Sequence, residues 1–169
     1  MKLNLIDNKF VDKFIEFMDQ IEASEGPACL VTINSGKVFS GGFSLMEMAS
    51  KKNERVLLPM RALKDLYGRL LRLNVPTLCV LNGHAVAGGL FLALCHDKII
   101  MADNPKLKCQ FNESLVGMSM YTPYACMMKE LIPMSVNKIL LLGDPLNPRK
   151  AFELDLVQGL FKSQEDMMS

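Results

Sequence analysis

Apolar residues follow two patterns along the chain, a helical period and short unbroken runs, and each pattern predicts a different secondary-structure element. Over residues 8–23 they return every three or four residues, which is typical of an amphipathic helix. Short unbroken apolar runs at 29–33, Thr77–Leu81 and Lys98–Ala102 predict buried strands. Because predicted strands and helices alternate along the chain, the pattern favours an α/β fold with crossover connections.

Further helical segments are predicted around these strands. Residues 90–95 form an apolar run that we interpret as a buried helix. The segments 121–131 and 135–142 also have helical spacing, and Gly143 would end the second of them. Pro148 stands where the first turn of a helix tolerates proline. An earlier helical pattern has one apolar side, made by Val56, Met60, Leu63, Tyr67, Leu70 and Leu71.

The composition is that of one globular domain. The chain has 169 residues, of which 50% are hydrophobic and 22% charged, and its formal net charge is +1. Lysine and arginine are scattered, so the sequence does not predict a nucleic-acid-binding surface. No apolar run reaches the roughly 20 residues that span a bilayer, and we expect no membrane helix. Five cysteines without a C-x-x-C pair predict reduced, buried thiols in an intracellular compartment.

Two glycine-containing stretches are the first candidates for chemistry. The loop predicted over 34–45 contains Gly41 and Gly42, which permit positive φ and close approach of another group, although a tight surface turn is the simpler interpretation. The turn "NGHAVAGG" ends in Gly88 and Gly89, just before the predicted buried helix. The first amides of a helix have no internal partner and attract negative charge. Neither stretch fits G-x-G-x-x-G or a phosphate loop, so nucleotide binding is not predicted.

Glu113 is the main candidate for a reactive side chain, because it is an isolated acid in the otherwise apolar stretch "CQFNESLVGMSM". Such a glutamate is either a solvated residue at a half-buried edge or a carboxylate whose pKa apolar surroundings raise for acid–base work. His84 and His96 lack metal-ligand spacing, and we expect no metal site. Ser40 and Ser44 have no neighbouring histidine base, so a serine nucleophile is not predicted.

Three stretches carry a resemblance to a known family. In this order, "GKVFSGGFSL", "NVPTLCVLNGHAVAGGLFLALCHDKIIMA" and "FNESLVGMSM" resemble motifs of the crotonase (enoyl-CoA hydratase/isomerase) superfamily, and the Δ3,Δ2-enoyl-CoA isomerase branch is the most similar. The similarity runs from about residue 8 to residue 161. It implies one α/β domain over 1–169, with a crotonase-like spiral of β-β-α units as its core at 8–161.

The resemblance also implies a site. In the family two backbone amides form an oxyanion hole for a thioester carbonyl, and the matching positions here are Phe43 and Gly88. Glu113 matches the single glutamate that the isomerases keep, whereas Phe91 stands where hydratases carry a second glutamate. The substrate would be a CoA thioester, with no further cofactor and no metal. The residues implied to bind substrate are Ser40, Gly41, Gly42, Ser44 and Asn112.

Two functions remain open at this point. The resemblance implies an isomerase that moves the double bond of a 3-enoyl-CoA to the trans-2 position, with Glu113 shuttling the proton. Family members also have an N-terminal strand hairpin and C-terminal trimerisation helices, and from the resemblance we expect this sequence to lack both. The alternative is therefore a catalytically reduced subunit of a larger assembly, and in either case we expect a homo-oligomer or a complex. The family location would be the mitochondrial matrix or the peroxisome, although no targeting signal is visible.

Overall fold

Two parallel β-sheets form the framework of the fold, which a computed structural model describes for residues 3–50, 57–132 and 142–168. In these parts of the chain the larger sheet has four strands, in the order β1 (Leu30–Ile33), β3 (Thr77–Leu81), β5 (Lys98–Ala102) and β7 (Gly159–Phe161). The smaller sheet contains β2 (Val38–Ser40), β4 (His84–Val86) and β6 (Cys109–Gln110), in that order. Every pairing between these strands is parallel.

The chain alternates between the two sheets, and this alternation makes a spiral. β1 leads directly to β2, β3 to β4, and β5 to β6, so each unit adds one strand to each sheet before a helical segment follows. The predicted α/β spiral of β-β-α units is confirmed. The loop predicted over 34–45 and the turn predicted over 82–89 are wrong in part, because they contain β2 and β4. Strands of two or three residues are too short to show an alternating pattern.

The helices largely confirm the predicted segments. α1 is Asn8–Glu22, α5 is Gly88–Leu94 and α6 is Thr122–Leu131. The predicted helix at 135–142 lies outside the described residues except for Leu142, and Val56 lies outside them too. The other helical segments are α2 (Leu45–Ser50), α3 (Leu57–Arg61), a π-helical segment (Ala62–Tyr67), α4 (Gly68–Leu70), a 3₁₀ turn (Ser114–Val116), α7 (Pro148–Glu153) and α8 (Gln164–Met168). Pro148 stands in the first turn of α7, as predicted.

α1 is amphipathic and packs on the core through one narrow stripe. Val11, Phe14 and Met18 are buried, three or four residues apart. Phe17 fits the same spacing but lies beside the stripe and stays 57% exposed. On the polar side, ion pairs attach α1 to the helical segment that contains the π turn, and these pairs are Arg61–Asp12, Arg69–Asp19 and Arg69–Glu22.

α5 is the central helix of the fold. All seven of its residues are buried and apolar, which is typical of a helix surrounded by core rather than one at a surface. It packs against β2 and β4 of the smaller sheet. The position of its N-terminus is therefore fixed by the two strands that precede the glycine turns.

His96, just after α5, has a structural environment. It is buried, its Nδ1 lies 2.9 Å from the Leu92 carbonyl oxygen, and its Nε2 lies 2.7 Å from Thr32 Oγ1. Because a carbonyl only accepts, Nδ1 carries the proton and Nε2 accepts from the Thr32 hydroxyl. Burial lowers the pKa of His96 to about 4. Within the described residues no group of acidic, histidine or cysteine side chains could hold a metal ion.

Two other predictions concern thiols and membranes. Cys79, Cys95 and Cys109 are buried as expected, but Cys29 and Cys126 are exposed, which corrects the prediction of buried thiols for these two. None of the five forms a disulfide in the described structure. Among the helices described, none has both the length and the apolar character needed to cross a bilayer.

Candidate active site

A pocket of about 600 Å³ opens between the end of β2, the start of α5 and the segment after β6. Its walls are mainly aliphatic, aromatic and methionine side chains, and Glu113 is the one carboxylate among the described residues that line it. The lining residues are Leu3, Leu5, Gly41, Phe43, Leu45, Met46, Met48, Pro59, Ala87, Phe91, Asn112, Glu113, Val116, Met118, Ser119, Met120, Tyr121 and Tyr124.

The first glycine turn leads from β2 to the pocket wall. Gly42 has φ +88, and an added Cβ there would lie 2.9 Å from the Ala87 Cβ and 3.1 Å from the Gly88 nitrogen. The two glycine turns therefore touch, and glycine is required at the contact. The Ile6 N–H donates to the Gly42 carbonyl and the Ser44 N–H to the Ile6 carbonyl. Between them, the Phe43 N–H has no acceptor in the described part of the chain.

The second glycine turn begins α5 and has an unusual backbone. Ala87 has φ 50 and ψ −126, a region that a residue with a Cβ adopts only under strain. Gly88 follows as the first residue of the helix, so its N–H has no partner within the helix. A Cβ on Gly88 would lie 3.0 Å from the Phe43 ring. The residues that carry the two candidate amides are thus in contact.

Glu113 lies at the pocket with a carboxylate that is poorly solvated. Its Oε2 is buried and has no hydrogen-bond partner among the described residues. Burial raises the pKa of the carboxyl group above its ordinary value, and a backbone hydrogen bond partly opposes this rise. The main chain is held in place because the Val116 and Met118 N–H groups both donate to the Glu113 carbonyl. A buried, unpaired carboxylate oxygen at a cavity is typical of a functional residue.

An aromatic cluster forms the inner wall of the pocket. The Phe91 ring is 2% exposed, and its centroid lies 4.6 Å from that of Tyr124 and 4.8 Å from that of Phe111. Tyr124 also contacts Phe43 edge-on at 6.2 Å and donates its hydroxyl to the Pro59 carbonyl at 2.6 Å. The sequence drew attention to Phe91 only as a replaced acid. It gave no signal for Tyr124, which fits an ordinary helical pattern.

The predicted site residues divide into those that line the pocket and those that lie behind its wall. Gly41, Phe43, Asn112 and Glu113 line the pocket, whereas Gly88 lies just behind its wall, next to the lining residue Ala87. Gly42 lies in the contact between the turns.

The two predicted serines belong to the second group. Ser40 and Ser44 are buried away from the pocket wall. The Ser40 hydroxyl accepts from the Gly42 N–H at 3.2 Å, and the Ser44 hydroxyl accepts from the Glu47 N–H at 3.4 Å. Ser40 borders a second cavity of about 660 Å³ on the other side of the turn. The structure therefore gives both serines a role in holding turns.

The outer rim of the pocket is apolar and open to solvent, a feature that the sequence pattern did not indicate. Leu45 is 66% exposed, Met46 is 85% exposed and Val116 is 62% exposed. Apolar side chains grouped around a cavity mouth are typical of a surface that binds an apolar ligand or a protein partner.

Comparisons with known proteins bear on what such a pocket does. Residues 1–169 match the family described as enoyl-CoA hydratase/isomerase. Enoyl-CoA delta isomerase 1 of Rattus norvegicus, a mitochondrial protein, is 31% identical over 116 residues. The peroxisomal enoyl-CoA delta isomerase 2 of Arabidopsis thaliana is 31% identical over 144 residues. The two alignments cover 68% and 81% of this chain but 40% and 60% of the relatives, so the chain spans only part of their length.

A solved structure has the same fold. The crystal structure of human mitochondrial delta3-delta2-enoyl-CoA isomerase matches with a TM-score of 0.89 at 23% sequence identity. The match covers 99% of this chain and 66% of that one. At this identity the likeness establishes a shared crotonase-like architecture, while the chemistry has to be argued from the pocket.

Proposed function

This chain belongs to the enoyl-CoA hydratase/isomerase family, and from that premise we propose that it converts 3-enoyl-CoA thioesters into trans-2-enoyl-CoA thioesters. The observation that carries the proposal is the buried, unpaired oxygen of Glu113 at the pocket. The similarity to two isomerases supports this choice of reaction. In this proposal the CoA thioester is the substrate and no further cofactor takes part. From the names of those relatives we also propose a mitochondrial or peroxisomal location.

Glu113 would be the single acid–base group. As a carboxylate it removes a proton from C2, and the electron pair of that bond moves into the thioester to give an enolate conjugated with the C3–C4 double bond. Return of the same proton to C4 leaves the double bond between C2 and C3. The raised pKa of Glu113 supports both steps, because it makes the carboxylate a stronger base toward the C2 proton and helps it to keep that proton until C4 takes it.

The amides of Phe43 and Gly88 would stabilise the enolate oxygen. Both N–H groups lack acceptors in the described structure, and the two turns that carry them touch through Gly42. Negative charge that develops beside fixed amide donors in an apolar pocket is stabilised more strongly than in water. One such donor typically contributes roughly 3–4 kcal/mol in the transition state.

The nature of the pocket wall favours isomerisation over hydration. Addition of water needs one group to activate water and another to deliver a proton, whereas isomerisation needs one base. Phe91 is packed between Phe111 and Tyr124, and no carboxylate other than Glu113 lines the pocket within the described residues. The walls are thus suited to an apolar acyl chain beside a single acid.

The proposal is tested by a spectroscopic assay that follows conversion of 3-enoyl-CoA to trans-2-enoyl-CoA. We expect turnover by the wild-type chain and a roughly 10²–10⁴-fold lower kcat in Glu113→Gln, since the amide cannot accept the proton. Glu16→Gln is the matched control, because it makes the same chemical change on the exposed side of α1. Wild-type activity in Glu113→Gln, or equal loss in Glu16→Gln, would contradict the proposal. Water addition to trans-2-enoyl-CoA is measured in parallel, and hydration as fast as isomerisation would contradict it too.

A second candidate function is supported by the apolar rim. Leu45, Met46 and Val116 are exposed around the pocket mouth, as in a subunit that docks on a partner. The chain would then be a catalytically reduced component of a larger assembly. Absence of turnover in both the wild type and Glu113→Gln, together with a large native complex in size-exclusion chromatography of the source extract, would favour this candidate.

A further inference from the structure

Tyr67 is a buried polar residue that the proposed mechanism does not use. It is the last residue of the π-helical segment and is 0% exposed. Its hydroxyl donates to the carbonyl oxygen of Gly88 at 2.8 Å, across 21 positions of sequence. π-helical turns are rare and often lie at functional sites. The bond is therefore a specific long-range contact to the residue that carries a candidate oxyanion amide.

The turn that Tyr67 contacts needs such support. Ala87, immediately before Gly88, has φ 50, and a non-glycine residue in an unfavourable backbone region costs roughly 1–3 kcal/mol. Such a conformation persists only where surrounding contacts determine it. The Ala87 N–H donates to the Gln110 carbonyl at 2.8 Å, and the Ala87 carbonyl accepts from Leu90 and Phe91. The Tyr67 hydroxyl adds a contact on the other side of Gly88, at the carbonyl of the peptide that joins Gly88 to Gly89.

Tyr67 also packs against the aromatic wall of the pocket. Burial is the main cause of its raised pKa, and the Glu113 carboxylate contributes to the same rise. Tyr124, which lines the pocket, packs edge-on against Tyr67 with ring centroids 5.9 Å apart. Tyr67 therefore lies behind the pocket wall, in contact with Tyr124 and with the Gly88 carbonyl, without lining the pocket itself.

We propose that Tyr67 is a positioning residue whose hydroxyl holds the Gly88 carbonyl, so that the Gly88 N–H stays directed at the thioester oxygen. This inference rests on the proposed function. Loss of the hydroxyl would free the strained turn to relax and would turn the amide away from the developing charge. The effect belongs to the transition state, where the charge is largest, and not to the binding of the substrate.

The experiment compares Tyr67→Phe with the wild type in the isomerisation assay. We expect kcat to fall roughly 10-fold, less than for complete loss of an oxyanion donor, with KM nearly unchanged. Thr77→Val is the matched control, because it removes another buried hydroxyl, which is bonded to Asp97 and does not line the pocket. An unchanged kcat in Tyr67→Phe, or an equal fall in Thr77→Val, would overturn the proposal.

A second readout separates this inference from the proposed function. A 3-ketoacyl-CoA bound at an oxyanion hole ionises to an enolate with a near-ultraviolet absorption band, and this signal requires no turnover. We expect a weaker enolate band in Tyr67→Phe than in the wild type or Thr77→Val at saturating ligand. If the wild type does not isomerise 3-enoyl-CoA but this difference appears, the proposed function fails and the role of Tyr67 stands. Equal bands, or no band in any variant, would overturn the role of Tyr67.

Because Tyr67 is completely buried, the phenylalanine variant could fail to fold, and circular dichroism checks this. In that case a fluorotyrosine at position 67 keeps both ring and hydroxyl. We expect its fluorine NMR resonance to shift when the 3-ketoacyl-CoA binds, since charge at the Gly88 amide alters the hydrogen bond to the Gly88 carbonyl. A resonance that does not shift on saturation would overturn the proposal.

Discussion

The region around His96 and the region around Glu113 each bury one ionisable side chain, but only the first satisfies its polar atoms. Both ring nitrogens of His96 are hydrogen-bonded, to Leu92 and Thr32. The Glu113 Oε2 has no described partner and lies at a cavity. Burial lowers the pKa of His96 and raises that of Glu113, and both shifts favour the neutral form of the side chain. The pKa alone therefore does not separate a structural residue from a reactive one. The unpaired oxygen and the open space beside it make the distinction.

The largest effect that this comparison predicts is the loss of stability in acid caused by His96. Its pKa is about 4 in the folded chain against an ordinary 6.5, so the unfolded chain binds a proton first as the pH falls. The contribution of neutral His96 to the free energy of unfolding is complete above pH 6.5. About 3 kcal/mol of it is lost as the pH falls from 6.5 to 4. Urea unfolding at a series of pH values measures it. His96→Leu should remove this part of the pH dependence, and an identical pH dependence in both proteins would contradict the assignment.

The next prediction tests whether turnover depends on the position of the carboxylate at residue 113 as well as on its charge. Glu113→Asp keeps a carboxylate but retracts it by one methylene, and we expect kcat for isomerisation to fall about 10²-fold. The free energy of unfolding should change little, because no hydrogen bond to Oε2 is lost in the described structure. Glu16→Asp on α1 serves as the control. Full activity in Glu113→Asp would contradict this prediction, because turnover would then not depend on where the carboxylate lies.

The smallest effect concerns the satisfied side of the comparison. Thr32→Val removes the donor to His96 Nε2, and we expect the free energy of unfolding to fall by about 1 kcal/mol with turnover unchanged. Chemical denaturation of Thr32→Val, His96→Leu and the double variant forms a cycle that isolates the pair. Additive losses would show that the two side chains do not interact. A fall in turnover would link the Thr32–His96 pair to the pocket, and the difference drawn between a structural and a reactive region would no longer hold.

The sequence predicted the long elements of the fold well because each has a clear apolar period. α1, β3 and β5 lie where the pattern places them. β2 and β4 were missed, since three residues next to glycine turns carry no period, and β6 and β7 have only two and three residues. These short strands are stabilised by pairing with distant strands, which is information that a local pattern does not contain.

The site was predicted to a smaller extent than the fold. Glu113 and the two glycine turns could be selected from motifs, and the structure brings them around one pocket. The partners of Tyr67 and Tyr124 could not be predicted, because both hydroxyls donate to main-chain carbonyls, which every residue has. Their sequence separations of 21 and 65 residues leave no local trace.

The strained bend at Ala87 also means that the chain is not at its most stable. Glycine adopts φ 50 and ψ −126 without the Cβ conflict that alanine has there, and relief of such a conflict is worth on the order of 1 kcal/mol. A more stable version of this fold could therefore be engineered by the removal of one carbon atom from the wall of the cavity, a place where protein engineers usually avoid making changes.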